Sequence, residues 1–107
     1  MTVDIKSLAD GQLALSKATL YTAPAATQTV ISSITLVNTD SSARTVNLYF
    51  KASGGTSRRI IPKDLSLAIG ALFTYTGSVS LEAADILEGD ASAATVVDYV
   101  LNGVENT

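Results

Sequence analysis

The stretch Gln28–Phe50 reads QTVISSITLVNTDSSARTVNLYF, and its pattern decides the fold class. In the first half Ile34 and Leu36 alternate with Ser33, Thr35 and Val37. In the second half Val46, Leu48 and Phe50 alternate with Thr45, Asn47, Tyr49 and Lys51. A period of two sends successive side chains to opposite faces, so both runs predict β-strands with one apolar face. Between them, Asn38–Arg44 (NTDSSAR) is rich in residues whose short polar side chains bond their own backbone and favour turns. The reading is two antiparallel strands joined by a polar loop, with Leu48 on the core face.

The same signals recur on either side. Towards the N-terminus, Ala23–Gln28 (APAATQ) is a loop in which Pro24 biases Ala23 towards extended backbone. Ala18–Thr22 and Gln12–Leu15 read as short strands with a turn at Ser16–Lys17, and Gly11 interrupts the chain. Met1–Asp10 mixes Val3, Ile5 and Leu8 with Asp4, Lys6 and Asp10. It suits an edge strand, a short helical turn, or an arm that orders against a neighbour. The division adopted is an arm at residues 1–10 and a single domain at residues 11–107.

Towards the C-terminus, Gly54–Gly55 supplies a hairpin tip. Strands are expected at Arg58–Ile61, ended by Pro62, and at Lys63–Ile69, Ala71–Thr76 and Val79–Ala83. Ile86–Ala91 (ILEGDA) reads as a bulge or turn, because Gly89 and Asp90 are turn formers. Ala94–Val104 is a long strand with Val97, Tyr99 and Leu101 on one face and Asp98 marking the wetter one. About eight short strands with turn signals between them predict an all-β fold, an antiparallel β-sandwich of jelly-roll type.

Composition bounds the function. The chain has 107 residues, enough for one domain. Hydrophobic residues make up 47% and aromatics only 6%, with no Trp, so the core is aliphatic. Charged residues are sparse at 16%, fewer than a monomer's surface usually carries, which suggests surface covered by partners. The net charge of −3 argues against nucleic-acid binding, which needs a basic face to neutralise phosphates. No apolar run reaches the roughly 20 residues that span a bilayer, and the N-terminus has no signal-peptide pattern. The expectation is a soluble chain made in a cytoplasm, with no membrane partner.

Candidate chemistry is thin. There is no Cys for a disulfide or thiolate and no His to act as base or metal ligand. Ser66 and Ser80 therefore have no imidazole to activate them. Asp85, Glu88 and Asp90 form an acidic group, but their spacing lacks the Ca²⁺-loop pattern, and a solvated turn is the favoured reading. Asp64 and Glu82 are a glycosidase pair only in principle, since separation in space decides that chemistry. Arg58–Arg59, with Lys63 nearby, suits either an acidic partner or an edge kept from aggregating. Tyr21, Tyr49, Tyr75 and Tyr99 each fall in a strand, as interface or half-buried residues. No catalytic residue, metal site or cofactor site is assigned, and the chain is read as a non-enzyme.

Five segments carry a resemblance. Leu20–Pro24 (LYTAP), Ile34–Thr39 (ITLVNT), Val46–Phe50 (VNLYF), Arg59–Lys63 (RIIPK) and Leu81–Asp85 (LEAAD) resemble, in order and spacing, small β-sandwich virion proteins of tailed bacteriophages. The likeness covers most of the chain, from Thr19 to Val104. One departure is Ala26, where such sequences often place Gly after the Pro-Ala of the loop. Some of these proteins are capsid decoration, or cement, proteins; others are tail or neck accessories. For the first role the resemblance implies homotrimers on the outside of the shell, bound to the major capsid protein. It also implies a rigid scaffold, an apolar subunit interface and an arm reaching neighbours. Val3, Ile5 and Leu8 of the arm, with Arg58, Arg59 and Tyr49, are the candidate partner-binding residues. The alternatives are a tail, neck or fibre component and a carbohydrate-binding module, the latter disfavoured by the lack of Trp to stack on sugar.

Overall fold

A computed structural model describes residues 2–107. Its elements, all strands, are β1 (Val3–Gln12), β2 (Ala18–Thr22), β3 (Gln28–Asn38), β4 (Arg44–Lys51), β5 (Arg58–Arg59), β6 (Leu65–Leu67), β7 (Leu72–Tyr75), β8 (Val79–Leu81), β9 (Ile86–Ala91) and β10 (Val97–Asn106). They form two antiparallel sheets. One runs β1-β10-β3-β7, with β8 also paired to β3. The other runs β2-β9-β4-β5, with β6 also paired to β4. The strands number ten rather than about eight because two edge lanes are each broken: β5 and β6 share one, β7 and β8 the other. The first break contains Pro62, which cannot donate to a ladder, and Asp64 at φ 53°; the second contains Ser78 at φ 51°.

The apolar alternation becomes the core. Ile31, Ile34 and Leu36 of β3 meet Val46 and Leu48 of β4, with Leu13, Leu67, Leu81, Leu87, Val97 and Leu101, in one buried cluster. Ile31 and Ile34 both face inward although three residues apart. A register shift opposite Asn102/Gly103 inserts Ser32 as a bulge and resets the phase. The face assigned to Leu48 from its alternation is the core face, and Leu48 is fully buried.

Three local expectations are corrected. First, β3 and β4 do not pair with each other; they belong to opposite sheets, and Asn38–Arg44 is the corner between them. Asn38 pins that corner. Its buried amide donates to the carbonyls of Ser42, Leu67 and Ala68, and its Oδ1 accepts from Asp40 N. Asp40 in turn receives Arg44 Nε at 2.6 Å, and that guanidinium holds its carboxyl below the usual range. Second, Ile86–Ala91 is not a turn but β9, an interior strand between β2 and β4. Third, residues 3–12 form an edge strand in place of a separate arm. β1 pairs with β10 from Val3↔Asn106 to Gln12↔Asp98, with one bulge between Ser7 and Ala9. Gln12 closes this strand rather than opening another.

At Ala26, φ is 55°. The loop keeps the left-handed conformation that Gly would supply, at a cost of about 1–2 kcal/mol for a residue with a Cβ.

Candidate interaction surfaces

The six candidate residues do not share one surface. Val3, Ile5 and Leu8 lie on β1, at the edge of the first sheet. Tyr49, Arg58 and Arg59 lie on β4 and β5 of the second sheet.

On β1, successive rows can be read across the sheet. Ile5 pairs with Val104, Val104 with Val30 and Val30 with Ser80. This row is on the outer face, where Ile5 is 86% exposed and Val30 41%. Val3, also exposed, lies two residues along the same face. Leu8 differs: it sits at the bulge, half-buried against the core. The outer face thus carries a β-branched apolar row ending on a free strand edge.

On the second sheet, Tyr49 and Arg59 are direct cross-strand partners. The Arg59 guanidinium lies 5.0 Å and Lys17 Nζ 4.9 Å from the Tyr49 ring centroid, within cation–π range. The ring is nearly covered, and its hydroxyl donates to Asp90 Oδ2 at 2.8 Å. Burial, then the Asp90 carboxylate, raises the Tyr49 pKa. Asn47 ties the group together. Its amide donates to Asp64 Oδ1 and Asp90 Oδ1, and its Oδ1 accepts from Asp64 N and Arg59 Nη1. Four bonds saturate an Asn side chain. Arg58 pairs with Phe50 and is exposed.

The acidic group is equally engaged. Asp85 accepts from Ser53 N and Glu82 N, Glu88 from Ser57 Oγ, and Asp90 from Asn47 and Tyr49. Glu88 and Asp90, two residues apart on β9, share a face, but Asp85 lies before the strand and each carboxylate is held by its own hydrogen-bond partners, and no metal-holding group is found among the described residues. EDTA should therefore leave the melting temperature unchanged in a thermal scan; a drop would show a bound cation.

A third cluster was not legible in the sequence. Glu105, on the inner face of β10, is buried. Tyr21 Oη donates to its Oε2 at 2.5 Å, and Lys6 Nζ lies 2.7 Å from its Oε1. Lys6 and then Tyr21 hold the Glu105 pKa below its ordinary 4.5. Burial, then Glu105, pushes the Tyr21 hydroxyl up to about 12. A carboxyl with a depressed folded-state pKa contributes stability above its unfolded value, and that contribution is lost as pH falls through the folded value. Glu105→Gln should flatten the loss of thermal stability as pH falls below the ordinary carboxyl value of 4.5. Equal acid slopes for variant and wild type would remove Glu105 from the acid response.

No family model matches the chain, and no curated protein sequence matches it. Solved structures show the fold. A chain from the study "Bacillus endospore appendages form a novel family of disulfide-linked pili" superposes with a TM-score of 0.60 at 16% identity, over 99% of this chain and 88% of that one. A chain from the structure of infectious bursal disease virus, strain Gx, superposes with a TM-score of 0.54 at 14% identity, over 97% of this chain. This chain spans 32% of that second one, so it corresponds to one part of a larger molecule. The two likenesses define the class: an all-β, two-sheet protein whose fold also occurs in a pilus and a virus. At these identities the common property is the fold.

Proposed function

We propose that this protein is a non-enzymatic structural component of a tailed-phage virion. In this reading it is a decoration protein of jelly-roll type that seats on the outer surface of the assembled shell as a homo-oligomer, and the major capsid protein is its partner. The observation that carries this reading is the placement of its apolar surface. The polar clusters are spent on internal hydrogen bonds, while Ile5, Ile69, Leu72, Leu15 and Val3 are 59–86% exposed. Scattered exposed aliphatics are ordinary; here Ile5 continues an apolar row with Val104 and Val30 across three strands, and Val3 lies beside it on the same face.

Other observations support it. The strand lanes follow the order expected of a chain wrapped as a double Greek key once β5 with β6, and β7 with β8, are taken as single broken strands. Both matched folds come from assemblies, a pilus and a virus. The pilus subunits are described as disulfide-linked; with no Cys, this chain would associate without such links. A protein that binds only the assembled shell stabilises it by mass action, and several contacts per oligomer add avidity.

The test is sedimentation of purified protein with shells lacking it. Saturable co-sedimentation at a fixed ratio to the shell subunit is expected; protein left in the supernatant at every concentration would refute the role. A tail or neck component of the same fold is the second reading, favoured by the likeness to a filament subunit.

A further inference from the structure

The geometry points to a specific contact: two copies of this chain pair antiparallel through the free edge of β1, about a two-fold axis at Ile5, joining their first sheets into one continuous sheet. The contact rests on the assembly reading only for its use in a particle.

The phase of the edge follows from the chain ends. Thr2 N–H donates to Thr107 O and Thr107 N–H to Thr2 O, each at 2.8 Å, so this is a hydrogen-bonded pair. Bonded pairs recur every second residue in an antiparallel ladder. The next are therefore Asp4–Glu105 and Lys6–Gly103. Val3, Ile5 and Ser7 then point their N–H and C=O groups away from β10. β1 ends the order of its sheet, so no strand among the described residues receives them.

Such an edge invites another strand unless something blunts it. Proline would do so, and β1 has none; Lys6 is the only cation along it. The sequence around Ile5 makes that charge an attraction. In Asp4-Ile5-Lys6, an antiparallel copy centred on Ile5 sets Asp4 opposite the partner's Lys6 and Lys6 opposite the partner's Asp4. Val3, Ile5 and Ser7 would exchange bonds with the partner's Ser7, Ile5 and Val3. Asp4 has a reason to accept this. It lies directly opposite Glu105 within its own chain, a like-charge pair, and makes no ion pair among the described residues. Lys6 is tied to Glu105 but still 48% exposed, and an ammonium has three donors. On the outer face the row Ile5–Val104–Val30 would meet its own image, covering Ile5, the most exposed of the large aliphatic side chains among the described residues. A register one residue away loses both ion pairs and sends Ile5 to the wrong face.

The test is molar mass by light scattering on the purified full chain, with circular dichroism confirming each fold. The wild type should give an even multiple of the 11.0 kDa chain mass. Asp4→Lys and Lys6→Asp each place like charges across the seam, and each alone should halve that mass. Mixed in equal amounts, the two should restore it, because every cross-seam pair is then opposite in sign. The double variant, which exchanges the charges, should also restore it. Ile5→Pro removes an N–H that points away from β10, so it should halve the mass while leaving the β1–β10 ladder in place. It keeps the test open should a charge variant misfold. A wild type at the mass of one or three chains, single charge variants at the wild-type mass, or a mixture that stays at half mass would each overturn the contact. None of these readouts involves a shell, so failure of shell binding and failure of this contact are separate results.

Discussion

Leu48→Asp is expected to leave the chain unfolded. Leu48 sits mid-way along β4, the strand flanked by β9 on one side and by β5 and β6 on the other, and it has no exposed surface. The buried cluster it belongs to is aliphatic apart from Tyr21, whose hydroxyl is already engaged by Thr29 and Glu105, so no free hydrogen-bond donor of the cluster serves a carboxylate. An unpaired charge held there costs several kcal/mol on top of the lost burial of the Leu side chain. Native domains have only about 5–15 kcal/mol of stability in total. Circular dichroism and a thermal melt should show no cooperative transition, whereas Leu48→Met should melt cooperatively with a loss below about 1.5 kcal/mol. A soluble, cooperatively melting Asp variant would show that the core does not lie between these two sheets.

Gly103→Ala should be nearly as damaging, for a different reason. Gly103 pairs with Ile31 just after the register shift between β10 and β3. A Cβ added there would lie 2.0 Å from the Val30 carbonyl oxygen, 3.0 Å from Ile31 Cα and 2.9 Å from a Leu8 methyl. The first two obstacles are backbone, so no rotamer change relieves them. Relief requires β10 and β3 to part where the first sheet is held together. The expected loss is on the order of 3 kcal/mol or more, the upper range for overpacking. A denaturation midpoint near the wild type would mean that the β10–β3 register differs from the one described.

These two sites also mark what a sequence can disclose. Leu48 was legible because alternation specifies the face of a strand. Alternation does not specify its neighbour: β3 and β4 alternate as a hairpin would, yet they face each other from opposite sheets. Pairing in this fold joins β1 to β10 and β2 to β9, near opposite ends of the chain, and no local pattern encodes that. The segment ILEGDA looked like a turn because Gly89 and Asp90 favour turns. In β9, Gly89 is Gly because a Cβ would meet Leu20, Leu13 and the Asn47 carbonyl oxygen, and Asp90 is held by Tyr49 and Asn47. The turn reading lost to tertiary packing and to partners 41 and 43 residues away. The buried Glu105 escaped notice for the same reason, since Tyr21 and Lys6 are far from it in sequence.

The candidate interaction residues divide along the same line. Val3 and Ile5 stood out as apolar residues among charges near the chain start, and the structure gives them an exposed strand edge. Arg59 and Tyr49 stood out as a cation and an aromatic, and the structure joins them across β4 and β5. That these two groups lie on different sheets could be learned only from the strand order.

The central proposal, a structural component of a phage shell, is tested most directly by counting copies of the protein in purified particles of a phage whose genome carries its gene, using quantitative mass spectrometry against the major shell protein. The account predicts a copy number in fixed proportion to the shell protein. A few copies per particle would move the protein to the tail or neck, and its absence from particles would contradict the claim.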